Sequence, residues 1–294
     1  MRRILLPGAD IETSWLGFGC ASLGSRVPAR AGLDALARAH EAGISWFDVA
    51  PAYGAGRAED ILGRFLAGRR ARVTVLTKVG LAPPRQAGLM RAAYALARPA
   101  AGLIRRLRGK AARLSATRNR SLPLTPALIE ASVETSLRRL GIDHVDVLAL
   151  HDPDPADLGR EDVARAMERV LSRGQARAVG VAGSVDACAA ALAPGLPYRV
   201  AQTAVMEGDA LASLRARAGR PIGVIGHSVF GSKTQDPLAD ALRRNPQGVT
   251  LLSMFAPAHL AANLARAEAV ARALPDAASE PTPEPLPDPV RAAP

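Results

Sequence analysis

Aromatic side chains are scarce, at 3% of the chain, so any core must be aliphatic, and no rows of stacking groups for single-stranded nucleic acid can be assembled. Cysteine is nearly absent. Cys20 and Cys188 lie far apart and without companion ligand clusters, which excludes a disulfide framework and a thiolate metal site and suits two reduced thiols in a cytosolic protein. No uncharged apolar run approaches the roughly 18 residues of a membrane span. The opening "MRRILLPGAD" carries a basic pair, but its apolar run is too short for a signal peptide. The expectation is a cytoplasmic protein without stable membrane association.

Acidic residues are missing from one long stretch. Between Pro83 and Ile129 the chain carries ten basic residues and no acid, while the whole chain has a formal charge of +11. The basicity therefore belongs to one segment. No recognition motif accompanies it, so nucleic acid is not an expected partner.

What is present is a chain of 294 residues, 48% hydrophobic, enough for one large core. Strand-like and helix-like segments alternate along it. "TSWLGFG" (13–19), "ISWFDVA", "RVTVLTKVG", "HVDVLALHD", "ARAVGVAGS", "YRVAQTAV", "PIGVIGHS" and "GVTLLSM" read as eight strands, each followed by a helical pattern. In "TPALIEASVETSLRRLG", Thr125 is placed to cap a helix that Gly141 ends. The strands are apolar throughout, which means burial on both faces and hence a parallel sheet covered by helices. Eight such units favour a closed (β/α)8 TIM barrel. A single barrel domain is expected over 1–274, with a basic insertion at 82–124 after the third strand. The Pro-rich, acidic tail at 275–294 reads as disordered.

Catalytic groups of such barrels sit where strands end and loops emerge. Those ends hold Asp48, Lys78 and His151, with Tyr53 in the loop after Asp48. A tyrosine hydroxyl is a poor acid near neutrality; a nearby ammonium lowers its pKa, and a carboxylate holds that ammonium charged. The four side chains suit polarising a carbonyl and delivering a proton, but they supply no reductant, so a hydride must come from a cofactor. His151 with Asp152 or Asp154 is too sparse a donor set to indicate a metal.

The contexts "GISWFDVAPAYGAGRAEDILG", "TKVG" and "SLRRLGIDHVDVLALHDPD" resemble the catalytic blocks of the aldo-keto reductase superfamily. The wording "APAYGAG" and "LHDPD" is similar to its bacterial aldose and sugar dehydrogenases. The resemblance implies a TIM barrel, NADP or NAD, no metal, and reversible carbonyl–alcohol interconversion on a small carbonyl or sugar substrate. It assigns catalysis to Asp48, Tyr53, Lys78 and His151. It also implies that Gly19 and Cys20 lie under the nicotinamide ribose and that Gln202 holds the carboxamide. His227, Ser228, Val229 and Phe230 take the place of the stacking aromatic and the pyrophosphate-binding turn, and Asn263 that of the adenine-binding asparagine.

The sequence also departs from the family pattern. The usual Ser-Asn pair after the fifth strand is Ala182 and Gly183. The places of the basic residue and hydroxyl that bind the 2′-phosphate of NADP hold Phe255 and Ala256, leaving His259 as the candidate cation. Weakened NADP selectivity, with NADH accepted, is the expectation. Two rival readings accompany the reductase: an aldose or lactol dehydrogenase running oxidatively on NAD, and a nucleotide-binding barrel that serves as a regulatory or interaction subunit. The insertion reads as two short amphipathic helices flanking the rim. Shaping the site, attracting anions and touching a membrane surface are its alternative roles.

Overall fold

The computed structural model describes residues 1–84, 119–205 and 210–274. Its centre is a closed parallel barrel. An N-terminal hairpin precedes it, β1 (Arg3–Leu6) pairing antiparallel with β2 (Ile11–Ser14). The barrel strands are β3 (Leu16–Gly19), β4 (Trp46–Asp48), β5 (Thr74–Val79), β8 (Val145–His151), β9 (Ala176–Ala182), β10 (Val200–Ala204), β11 (Gly223–His227) and β12 (Val249–Leu252). Each pairs with its successor, and β12 closes on β3. The continuously apolar strands are buried along nearly their whole length, as a sheet covered on both faces requires.

One predicted strand is divided. "TSWLGFG" breaks at Trp15, leaving Thr13 and Ser14 in the hairpin and Leu16–Gly19 in the barrel. The cause is tertiary. The Ser14 hydroxyl donates to Leu16 O and accepts from Ser45 N–H, and the Trp15 indole donates to Asn245 O at 2.9 Å. Leu6 packs so tightly on Gly223, the first residue of β11, that a Cβ there would lie 2.6 Å from it. The hairpin thus covers the N-terminal end of the barrel.

Helices α1 (Ala29–Glu41), α2 (Ala58–Leu66), α3 (Pro126–Leu140), α4 (Pro155–Leu158), α5 (Glu161–Ser172), α6 (Val185–Ala191), α7 (Ala210–Ala218), α8 (Pro237–Arg244) and α9 (Pro257–Ala273) surround the strands. α3 has the expected ends: the Thr125 hydroxyl accepts from Leu128 N–H, and Gly141 is left-handed at φ 65°. The insertion leaves the barrel through a short antiparallel ribbon, β6 (Leu81–Ala82) paired with β7 (Arg120–Ser121). The helices expected at 88–114 and the tail at 275–294 lie outside the described residues.

Beneath the rim, Asp146 on β8 is buried and accepts from Val75 N–H at 2.8 Å, from Arg70 at 3.0 Å and from Arg177 at 3.1 Å. Removing one member of a buried pair leaves the partners' charge and an amide unsatisfied. Asp146→Ala is expected to lower stability by about 3 kcal/mol, read as an earlier midpoint in urea unfolding; an unchanged midpoint contradicts this.

Candidate active site

The barrel register sets the site before any side chain is considered. Gly19 stands beside Asp48, and His151 is level with Ala182, itself level with Gln202. Gly19, Asp48, His151 and Ala182 end their strands and Gln202 lies mid-strand beside them, all lining a cavity of about 500 Å³. Its lining includes Asp48, Tyr53, Lys78 and His151 together with Gly19, Gln202, His227, Ser228, Val229 and Phe230.

Tyr53 reaches this rim through a strained turn. It begins a single 3-10 turn, Tyr53–Ala55, in which Gly54 has φ 61°. A Cβ on Gly54 would lie 1.7 Å from Leu23 O, so only glycine allows the turn to lie against the loop after β3. Two other rim residues are left-handed without being glycine, Asp152 at φ 47° and Ser228 at φ 60°. Such conformations persist where the surroundings over-determine them, and they gather at functional sites.

Lys78 and Asp48 are 1% and 2% exposed, and Lys78 Nζ lies 2.7 Å from Asp48 Oδ1. The ammonium also donates to Val49 O at 3.3 Å and to the Tyr53 hydroxyl at 3.2 Å. Three donors meet three acceptors, and an ammonium accepts nothing. The Tyr53 oxygen is therefore an acceptor toward Lys78, and its own proton is left to donate elsewhere. The His151 ring meets the Tyr53 ring edge to face, 5.7 Å between centroids. A phenol and an imidazole thus share one mouth of the cavity.

The electrostatics amend the sequence reading at one point. Burial pushes the Tyr53 hydroxyl above its ordinary value, and this outweighs the downward pull of Lys78. The phenol remains protonated across the neutral range, the state a proton donor needs. Burial alone would pull the Lys78 ammonium down, but Asp48 and Tyr53 together carry it above its ordinary value, so it stays charged. Burial, with Lys78 and His227 adding to it, takes His151 down to about 3, which leaves a neutral imidazole able to donate one hydrogen bond. Burial likewise lowers His227, whose Nδ1 lies 2.9 Å from Ser228 Oγ.

Two residues with expected cofactor roles are not in the cavity lining. The Cys20 side chain is fully buried and lies 3.9 Å from Phe18 O, inside the core. Asn263, on α9, is half-buried and outside the cavity lining. Phe255 packs edge-on against Phe18 at 4.9 Å, and Arg266 on α9 is engaged by Asp236. Asp152, Ala21, Gly231, Leu251, Leu252 and Ser253 also line the cavity. The sequence signal for Asp152 is its place directly after His151. Among the described residues no cluster of three potential metal ligands occurs.

Comparison with known proteins fits this geometry. The profile of the Aldo/keto reductase family matches residues 15–193. The chain is 33% identical over 142 residues to 6-dehydroglucose reductase of Agrobacterium fabrum, a match covering 47% of this chain and 39% of that protein. It is 31% identical over 237 residues to D-threo-aldose 1-dehydrogenase of a Pseudomonas species, covering 76% of this chain and 68% of that one. The first match thus spans well under two thirds of that relative's length. Among solved structures, a Pseudomonas aeruginosa protein described as an aldo-keto reductase superposes with a TM-score of 0.72 at 24% identity, over 92% of this chain and 95% of that one. The chain belongs to the aldo/keto reductase family.

Because His151 is held neutral when folded and protonates near its ordinary value when unfolded, the unfolded chain binds more protons below about pH 6.5. Stability contributed at this residue therefore falls as the pH drops from about 6.5 toward about 3. The His151 ring signals in NMR are expected to stay fixed between pH 5 and 8; a titration there contradicts the assignment of a neutral ring.

Proposed function

We propose that the protein is an NAD(P)-dependent oxidoreductase that interconverts a carbonyl and an alcohol, with Tyr53 as general acid in reduction and base in oxidation. The observation that carries this reading is the hydrogen-bond order Asp48–Lys78–Tyr53, which leaves the phenol proton directed away from the ion pair. In that reading the Tyr53 O–H and the neutral His151 ring both hydrogen-bond the carbonyl oxygen, and Tyr53 transfers its proton as negative charge develops there. Lys78 stabilises the phenolate left behind, and Asp48 keeps Lys78 charged.

The cavity suits a nicotinamide dinucleotide. Gln202 Oε1 is buried with no partner among the described residues, and it lies in the lining where an amide N–H would satisfy it. His227 offers a ring face, and the turn Val229–Gly231 offers backbone N–H groups. When bound, the reduced cofactor supplies the hydride that no side chain can provide. Ala182 and Gly183 bring no side-chain polar group to the carboxamide. Phe255 and Ala256 bring no charge to a 2′-phosphate, and an anion without a fixed cation gains little from a helix N-terminus alone. Use of NADH beside NADPH follows.

The relatives' names place sugar chemistry on both sides of the reaction, a reductase and a dehydrogenase. The upward displacement of Tyr53 keeps the phenol in its acid form across the neutral range, the state from which it would donate in reduction. A purely regulatory barrel has no use for four converging groups, and the intact cluster speaks against it.

Tyr53→Phe is expected to cut turnover of a simple aldehyde by about 10²- to 10⁴-fold while the cofactor binds nearly as before; surviving activity contradicts the role of Tyr53. Fluorescence titration should give dissociation constants for NADH and NADPH within about tenfold of each other, since Phe255 and Ala256 put no fixed cation at the 2′-phosphate. A strong preference for NADPH contradicts the account of the 2′-phosphate pocket.

A further inference from the structure

We propose that Asp152 is a specificity-determining residue that selects polyhydroxylated carbonyl substrates, its carboxylate accepting hydrogen bonds from substrate hydroxyls. The inference rests on the functional reading above and extends it to the class of substrate.

The first observation is position. Asp152 directly follows His151 at the end of β8 and lines the active-site cavity. It also lines a second cavity of about 410 Å³ that shares Gly183 and His227 with the first. Tyr53 and His227 line the same cavity.

The second is conformation. Its backbone is left-handed at φ 47°, an arrangement that Asp and Asn accept more readily than other side chains. The Asp152 N–H is fixed to Ala182 O at 2.7 Å. The residue is thus held in a sparsely populated state at the mouth of a cavity, where strain points to function.

The third is that its side chain is open. Asp152 is exposed, and no hydrogen bond or ion pair of its carboxylate is found among the described residues. Opposite it stands Gly183, where a Cβ would lie 3.5 Å from Asp152 Cα with no steric bar. A side chain would fit there, and the absence of one leaves the carboxylate uncovered.

The charge around it indicates the ligand. Asp48 and Lys78 cancel in their ion pair, and His151 is neutral. Among the described lining residues, Asp152 is then the one carboxylate that no neighbouring cation offsets. An ionised carboxylate accepts several hydrogen bonds and donates none. Adjacent hydroxyls on a substrate bound through its carbonyl at Tyr53 and His151 match that requirement.

The test compares glyceraldehyde with propionaldehyde, which has the same carbon skeleton without hydroxyls. Both are assayed with NADH and NADPH on the full-length chain, and the readout is the ratio of kcat/KM values. Wild type is expected to favour glyceraldehyde by about tenfold or more, the effect of a hydrogen bond to a charged acceptor. Asp152→Gly, which tolerates the left-handed backbone, should bring the ratio near one. Asp152→Asn keeps shape, backbone and one acceptor, and should give an intermediate ratio; it also serves if the glycine variant folds poorly. A wild-type ratio near one, or ratios unchanged within about twofold in both variants, overturns the inference. Absence of turnover by wild type on either aldehyde is a different failure: it defeats the functional reading itself, and this inference with it.

Discussion

A lysine and an aspartate, both withdrawn from water at the end of neighbouring strands, set the terms for everything around them. Removing two charges from water is expensive, and their attraction offsets it only when geometry is good and the remaining donors are satisfied. Lys78 meets that condition through Asp48, Val49 O and the Tyr53 oxygen. Because the ammonium has no fourth donor and no acceptor, the direction of the Tyr53 proton follows from valence alone. The site is thereby polarised toward the cavity before any ligand arrives.

The barrel makes this arrangement affordable. Parallel strands deliver Asp48, Lys78 and His151 to one rim on rigid backbone, while Tyr53 needs a turn that only Gly54 allows. Preorganised polar groups of this kind act without reorganisation at the moment of reaction. The same burial that fixes the groups also tunes them, with Tyr53 kept as an acid and His151 kept neutral. Left-handed backbone at non-glycine residues recurs at the same rim, at Ala55, Asp152 and Ser228, with Asp10 of the N-terminal hairpin as a further case.

Much of this was legible in the chain. Eight apolar strands, each followed by a helical pattern, gave the barrel, and the positions of Asp48, Lys78 and His151 followed from where those strands had to stop. Thr125 and Gly141 marked the ends of α3 because capping is a local property. The break at Trp15 was hidden, since it depends on Ser45 and Asn245, which are distant in sequence. The direction of the Tyr53 displacement was hidden for a related reason: a neighbouring lysine is visible in sequence, whereas the depth of burial that outweighs it is not. The burial of the Cys20 thiol against Phe18 O was likewise not visible in the sequence. The exposure of Asp152 at the cavity mouth was hidden as well, since it depends on how β8 and β9 end side by side.

The most direct measurement is the titration of the Tyr53 phenol itself, followed by NMR of the labelled Cζ in wild type and in Lys78→Met. The account predicts that wild type stays protonated beyond the ordinary tyrosine range and that loss of the ammonium carries the hydroxyl higher still. A wild-type phenol that ionises below the ordinary range, or one indifferent to Lys78, would contradict it.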